Sequence, residues 1–286
     1  MTRTAIPATT RIHTRIGRRF EALRRNGEMG LVAFLTAGDP SLAATESLVL
    51  ALAEAGADVI ELGVPFSDPV ADGPAIQRSS ERALRAGTTL AGVLDLVASL
   101  RRKSDVALVL FSYYNPVLQM GLPQFAERAA AAGVDGVLIT DLTPEESGEY
   151  RAIVTAQGLD TIFLAAPTSP DERLARIAEC SSGFLYVISR TGVTGVRDTL
   201  PEDLPALMRR VRRATSLPVA VGFGISLPGQ VSLLGGLADA AVVGSALVQE
   251  IEHAATLEAA VANVSARVRT LKQAGLQGMS RREPQP

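Results

Sequence analysis

A short joint recurs along this chain, and it narrows the possible folds more than any other feature. Gly56-Ala57-Asp58, Gly133-Val134-Asp135 and Gly158-Leu159-Asp160 each close a helical pattern and open a strand pattern; Gly236 to Asp239 is a looser copy. Glycine takes the left-handed conformation that ends a helix, and aspartate suits the short polar turn that follows. One joint used repeatedly means one βα unit used repeatedly. No Pro/Ser/Gly-rich linker or charge run interrupts the series, so a single domain over residues 1–286 is expected.

Between the joints, short apolar runs alternate with helical patterns. The strand candidates are 31–36, 59–63, 106–111, 136–140, 161–166, 184–189, 218–222 and 240–244. Most are almost continuously apolar, as strands of a parallel sheet covered on both faces are. The clearest helices are 42–55, 90–103, 124–132, 145–157, 171–180 and 202–213. Thr143-Pro144-Glu145-Glu146 and Ser169-Pro170-Asp171-Glu172 read as capping boxes with proline at the first helical position. Eight strands in this length predict a (β/α)8 TIM barrel, an α/β fold. An open doubly wound sheet calls for a Gly-x-Gly-x-x-Gly turn after the first strand, and Thr36-Ala37-Gly38-Asp39-Pro40 is not that turn.

The ends are read separately. Ile12, Ile16, Phe20 and Leu23 recur at helical spacing, which predicts an extra amphipathic N-terminal helix over 11–25. Five arginines before Glu21 also fit an organelle transit peptide, but the helical spacing favours a helix of the folded protein. Residues 1–10 and 280–286 are expected to be flexible ends.

Composition removes several function classes. Hydrophobic residues at 47% and charged residues at 20% exclude a disordered chain. Lys+Arg number 28 against 30 Asp+Glu, a net charge of −2 that argues against nucleic-acid binding. The single cysteine, Cys180, fits a reducing compartment, and with His13 and His253 it is too few for a zinc site. No apolar run is long enough to span a membrane, so a cytoplasmic protein is expected. Any chemistry must come from carboxylates, hydroxyls and backbone amides.

In a TIM barrel the functional groups lie at the C-terminal ends of the strands. Glu61 lies inside the apolar run 59–63, where burial raises a carboxyl pKa toward acid–base range; a structural ion pair or escape to solvent reads equally well. The connection from Val64 to Pro74 tips that balance. It is long, carries three prolines, and offers Asp68 and Asp72 to work with Glu61. Gly-rich turns follow strands six, seven and eight at 191–195, 222–226 and 244–245. The last two match the usual barrel phosphate site, where backbone amides and a helix N-terminus meet an anion. No acidic set is completed by a histidine or further carboxylate, so no metal is expected. Arg209, Arg210, Arg212 and Arg213 read as a solvated helix face, and Cys180 as a small buried residue. For Tyr186, core packing and a pocket hydroxyl stand level.

The segment Glu61-Leu62-Gly63-Val64-Pro65-Phe66-Ser67-Asp68-Pro69, with Ala71-Asp72-Gly73-Pro74, closely resembles the signature of the tryptophan synthase α subunit family. Phe34 to Pro40, Ser189 to Gly195 and Gly222 to Ser226 support the resemblance, which runs over nearly the whole chain. It implies cleavage of indole-3-glycerol phosphate to indole and glyceraldehyde 3-phosphate, with indole passed to a β subunit. Pyridoxal phosphate is then expected in the β partner, with no cofactor in this chain, and an α2β2 heterotetramer is the implied assembly. By motif match Glu61 is the general acid/base and Asp72 the second catalytic carboxylate. Thr194, Gly195, Gly224, Gly244 and Ser245 match the phosphate-binding segments, and Phe34, Ile76, Tyr113, Tyr186 and Phe223 the indole pocket. Thr143 stands where the family often has proline, and Phe111 is bulkier than in some relatives.

Two other readings share these residues: a stand-alone lyase that releases indole, and a weakly catalytic subunit that mainly activates a β partner. A phosphosugar isomerase or an indole-glycerol-phosphate synthase would be expected to bring a lysine or histidine to the strand ends, and none is found. The stretch 190–199, with two glycines and little apolar content, is expected to close over bound phosphate.

Overall fold

The computed structural model describes residues 14–189, 200–222 and 224–280. The expectations for 1–10, for closure of 190–199, and for Thr194, Gly195 and Phe223 concern residues outside that set, as do 281–286 of the C-terminal end.

Nine parallel strands are described: β1 (Gly30–Thr36), β2 (Val59–Gly63), β3 (Ala107–Ser112), β4 (Gly136–Ile139), β5 (Asp160–Ile162), β6 (Leu164–Ala165), β7 (Leu185–Ile188), β8 (Val219–Gly222) and β9 (Ala240–Val243). Their order is β5-β4-β3-β2-β1-β9-β8-β7-β6. The end strands β5 and β6 are two halves of one chain segment separated by Phe163, so the order closes on itself as a barrel. The expected single strand over 161–166 is thus split. Phe163 turns outward into the shell between strands and helices, and its carbonyl accepts from Tyr186 N at 3.2 Å. The TIM barrel read from the sequence is the fold observed.

The helices are α1 (Arg15–Asn26), α2 (Leu42–Ala55), α3 (Pro74–Arg85), α4 (Leu90–Arg101), α5 (Tyr114–Met120), α6 (Leu122–Ala132), α7 (Gly148–Ala156), α8 (Asp171–Cys180), α9 (Leu204–Ala214), α10 (Pro228–Leu234), α11 (Ser245–Glu252) and α12 (Leu257–Ser280). Among the described residues no single helix is long and apolar enough to cross a membrane.

Strand alternation sorts side chains into two cores. Val32, Phe34, Val59, Val109, Phe111, Leu138, Ile162, Phe184, Tyr186, Ala220 and Val242 fill the barrel interior. Leu31, Ala33, Leu35, Ile60 and Leu62 face the helical shell. α1 is the expected extra helix: Ile16, Phe20 and Leu23 join the interior cluster, and the Phe20 ring lies 5.6 Å from that of Phe184. It starts at Arg15 because the Thr14 side chain accepts from Gly17 N at 3.1 Å.

Three of the four repeated aspartates do more than make turns. Asp58, Asp135 and Asp239 each accept from the first strand amides of a neighbouring strand, at Leu31 (2.6 Å), Leu108 (2.8 Å) and Val219 (2.7 Å). Cations cover the same carboxylates: Arg19 and Lys272 on Asp58, Arg15 and Arg101 on Asp135, Arg212 on Asp239. The joints therefore lock the barrel floor and leave the opposite end for chemistry.

Neither expected capping box caps its helix. Thr143 Oγ1 donates to Glu146 Oε2 at 2.9 Å within a separate turn, and α7 begins five residues after Thr143, at Gly148. Pro170 is itself the residue before α8, and the Ser169 hydroxyl accepts from Ala166 N instead. Arg210 of the basic cluster pairs with Asp171 at 2.6 Å, tying α9 to α8.

Candidate active site

Glu61 enters the barrel through strand alternation. It is the register partner of Phe34 on β1 and Val109 on β3, both in the interior cluster. The side chain is 1% exposed, and neither carboxylate oxygen has a hydrogen-bond partner among the described residues. With no polar group to replace water, burial pushes its pKa from 4.5 to about 8. Glu61 is shut off from solvent, and among the described residues it has no ion-pair partner.

Two glycines let aromatic rings lie directly against the strands in this interior. A β-carbon on Gly63 would lie 2.6 Å from Phe34 Cζ, and one on Gly222 would overlap Tyr186 Oη. The Tyr186 phenol is buried and is pushed upward by burial and by the nearby Glu61. Tyr186 is thus part of the core, its ring packed in the interior cluster close enough to Glu61 to feel its charge.

Asp72 closes the β2–α3 connection and is 9% exposed. Burial raises its pKa to about 6, and a hydrogen bond from the Tyr113 hydroxyl opposes the rise. The same hydroxyl accepts from Ala71 N at 3.0 Å, and the Tyr113 ring stacks on Phe66 at 5.0 Å. Tyr113 therefore holds the end of the loop in place. Asp68 does not join the group: it is exposed, and Ser67 Oγ donates to it at 2.6 Å.

Phe34, Phe111, Tyr186 and Ile76 come together around the apolar interior near Glu61. The larger Phe111 is accommodated edge-on to Phe34, with centroids 5.2 Å apart. Two further groups were not singled out from the sequence. Leu164, register partner of Tyr186, packs on the same cluster; its two-residue spacing from Ile162 was an available signal. Gln77 donates to the Asp72 carbonyl at 2.8 Å, and no sequence pattern marks it.

At the other end, Gly244 precedes α11 and Ser245 opens it, half-buried and exposed respectively. The first amides of a helix have no intrahelical acceptor and favour an anion. Gly224 lies on the turn after β8 with φ +90°, its carbonyl accepting from Gln230 at 3.3 Å. Ser226 Oγ, on that turn, is buried without a hydrogen-bond partner among the described residues. Among the described residues no three His, Cys, Asp or Glu side chains converge as metal ligands.

This geometry can be set beside known proteins. A family model for the tryptophan synthase alpha chain matches residues 20–275. The tryptophan synthase alpha chain of Solibacter usitatus is 53% identical over 259 residues, covering 91% of this chain and 97% of that one. The alpha chain of Geotalea daltonii is 53% identical over 239 residues, covering 84% and 90%. A chain of Mycobacterium tuberculosis tryptophan synthase superposes with a TM-score of 0.85 at 37% identity, covering 92% of this chain and 98% of that one. The Legionella pneumophila tryptophan synthase subunit alpha gives 0.82 at 36% identity, covering 91% and 98%.

Proposed function

The chain belongs to the tryptophan synthase alpha chain family, a lyase that cleaves indole-3-glycerol phosphate, and on that premise we propose that Glu61 and Asp72 divide the proton chemistry of the cleavage. The observation that carries the assignment is the buried Glu61 carboxyl, without a hydrogen-bond partner among the described residues and held protonated at neutral pH.

Indole is a poor leaving group as a carbanion, so its C3 must gain a proton before the C–C bond breaks. Protonated Glu61 supplies that proton, giving an indolenine with positive charge on the ring nitrogen. Asp72, ionised above about 6, faces that nitrogen and stabilises charge that appears only on the way to the transition state. The Glu61 carboxylate then takes the proton from the adjacent glycerol hydroxyl. That oxygen becomes the aldehyde carbonyl, the C–C bond electrons neutralise the ring, and indole leaves. Glu61 ends protonated, as it began.

Phe34, Phe111, Ile76, Tyr113, Tyr186 and Leu164 receive the indole. Gly244, Ser245, Gly224 and the Ser226 hydroxyl receive the phosphate, a remote handle that orients the reacting carbons. For the β partner, exposed Val70 on the β2–α3 loop and exposed Leu118 on α5 offer apolar contacts at the active-site end of the barrel, and an α2β2 assembly is the proposed stoichiometry. Indole release by purified Glu61→Gln and Asp72→Asn, with and without a β subunit, tests the division of roles. Both variants are expected to bind substrate and lose turnover; wild-type turnover in either removes that residue from the mechanism.

A further inference from the structure

Resting on the placement of indole by Asp72 and of phosphate by Ser245, we propose that Arg82 is a positioning residue that fixes the spacing between the two ends of the substrate site.

One ligand must touch both ends at once, yet the ends belong to different pieces of chain. The indole end is carried by α3: Ile76 packs on the interior cluster, and Gln77 anchors the Asp72 carbonyl at 2.8 Å. The phosphate end is carried by α11, which starts at Ser245. A cluster of charges joins these two helices to each other and to the turn that follows β1. Arg82 on α3 donates through Nε and Nη2 to Asp39 at 2.8 and 2.7 Å, and through Nη1 to Glu252 on α11 at 2.8 Å. Arg78, one turn away, donates to both oxygens of Glu252 at 2.7 and 2.8 Å. A second tie from β1 to α3 runs from Thr36 Oγ1 to Ser79 Oγ at 2.6 Å.

All three nitrogens of one guanidinium are thus committed to two carboxylates, one on α11 and one in the turn after β1. Asp39 is 2% exposed, so this is not a loose surface pair. Hydrogen bonds from Arg78 and the charge of Arg82 hold Glu252 down at about 2, so it stays ionised across the working pH range. A planar fork also fixes direction as well as distance, which a lysine ammonium does not. β1 in turn pairs with β2 in the register that sets Phe34 against Glu61. The acid, the indole end and the phosphate end are all referenced to the same guanidinium.

Steady-state cleavage of indole-3-glycerol phosphate by the full chain, beside separate titrations with indole and with glyceraldehyde 3-phosphate, tests this. In Arg82→Met, kcat is expected to fall about 10–100-fold while KM and both half-ligand affinities stay within about threefold, because small misplacements are paid in the reacting geometry. Arg82→Lys should recover part of the lost kcat. Glu252→Gln should give the same split to a smaller degree, and it serves if Arg82→Met does not fold. Unchanged kcat in the folded variants overturns the proposal. So does a parallel loss of both half-ligand affinities, which marks a collapsed site and not a mis-spaced one. If the wild-type chain itself releases no indole, the underlying reading of the site fails, and the proposal with it.

Discussion

Phe34 and Glu61 stand directly opposite one another in the β1–β2 ladder. The carboxyl therefore enters the barrel beside an aromatic ring, in a space with no hydrogen-bond partner among the described residues. Its raised pKa is a consequence of strand register: a shift of one residue would turn Glu61 into the helical shell and Ile60 or Leu62 into the pocket.

The first prediction is a bell-shaped pH dependence of cleavage. The acid role requires protonated Glu61, so activity falls as pH rises through about 8. The charge-stabilising role requires ionised Asp72, so activity falls as pH drops through about 6. A kcat/KM profile with Glu61→Gln and Asp72→Asn as controls checks both limbs.

A second prediction concerns stability. Folded Glu61 titrates at about 8 against an ordinary 4.5, so between those values the folded state holds a proton that the unfolded state has released. Stability from this group is complete below 4.5 and is lost as pH rises toward 8. By pH 7 the loss is about 3 kcal/mol. Glu61→Gln lacks this term, so denaturation should find it similar to wild type near pH 4.5 and more stable by several degrees at pH 7–8. An equal gap at both pH values contradicts the burial account.

Tyr113→Phe tests the clamp on Asp72. The variant removes the bond that opposes the rise in the Asp72 pKa and strands Ala71 N. The acid limb of the profile should move up in pH, with a stability cost of about 1 kcal/mol. An unmoved limb would mean that Tyr113 does not act on Asp72.

Charge at the phosphate end is probed by Gly244→Asp against Gly244→Asn. Either side chain presses on Phe34, because a β-carbon there comes within 3.3 Å of Phe34 Cβ and Cδ1. The aspartate alone adds an anion where an anion is to bind, so its affinity for glyceraldehyde 3-phosphate should be lower by at least about tenfold than that of the asparagine variant. Equal affinities place the phosphate elsewhere.

The barrel was legible because its repeated joints carry backbone necessity and charge together, as Asp58, Asp135 and Asp239 show at the barrel floor. Glu61 was legible because an acid inside Val59-Ile60-Glu61-Leu62-Gly63 has few bland explanations once the loop behind it is seen. α3 was not, because its buried face is made of Ala75, Ser79, Ser80 and Ala83, with no large apolar side chain to mark the stripe that packs on the barrel. Composition and spacing alone do not separate Asp68 from Asp72; the family motif picked out Asp72, and the Tyr113 hydroxyl and local burial supply the physical difference. The Arg82 cluster was invisible too, since Asp39 and Glu252 lie far from it along the chain. Local signals such as Thr143-Pro144-Glu145-Glu146 misled where tertiary packing placed the helix start later.

The central claim is that Glu61 holds its proton at neutral pH, and infrared difference spectroscopy of wild type minus Glu61→Gln reads that proton directly. The account predicts a protonated carboxyl stretch at pH 7 that disappears from the difference spectrum with a midpoint near pH 8. A carboxylate signal already complete at pH 6 would contradict it, because Glu61 would then have no proton to give to indole C3.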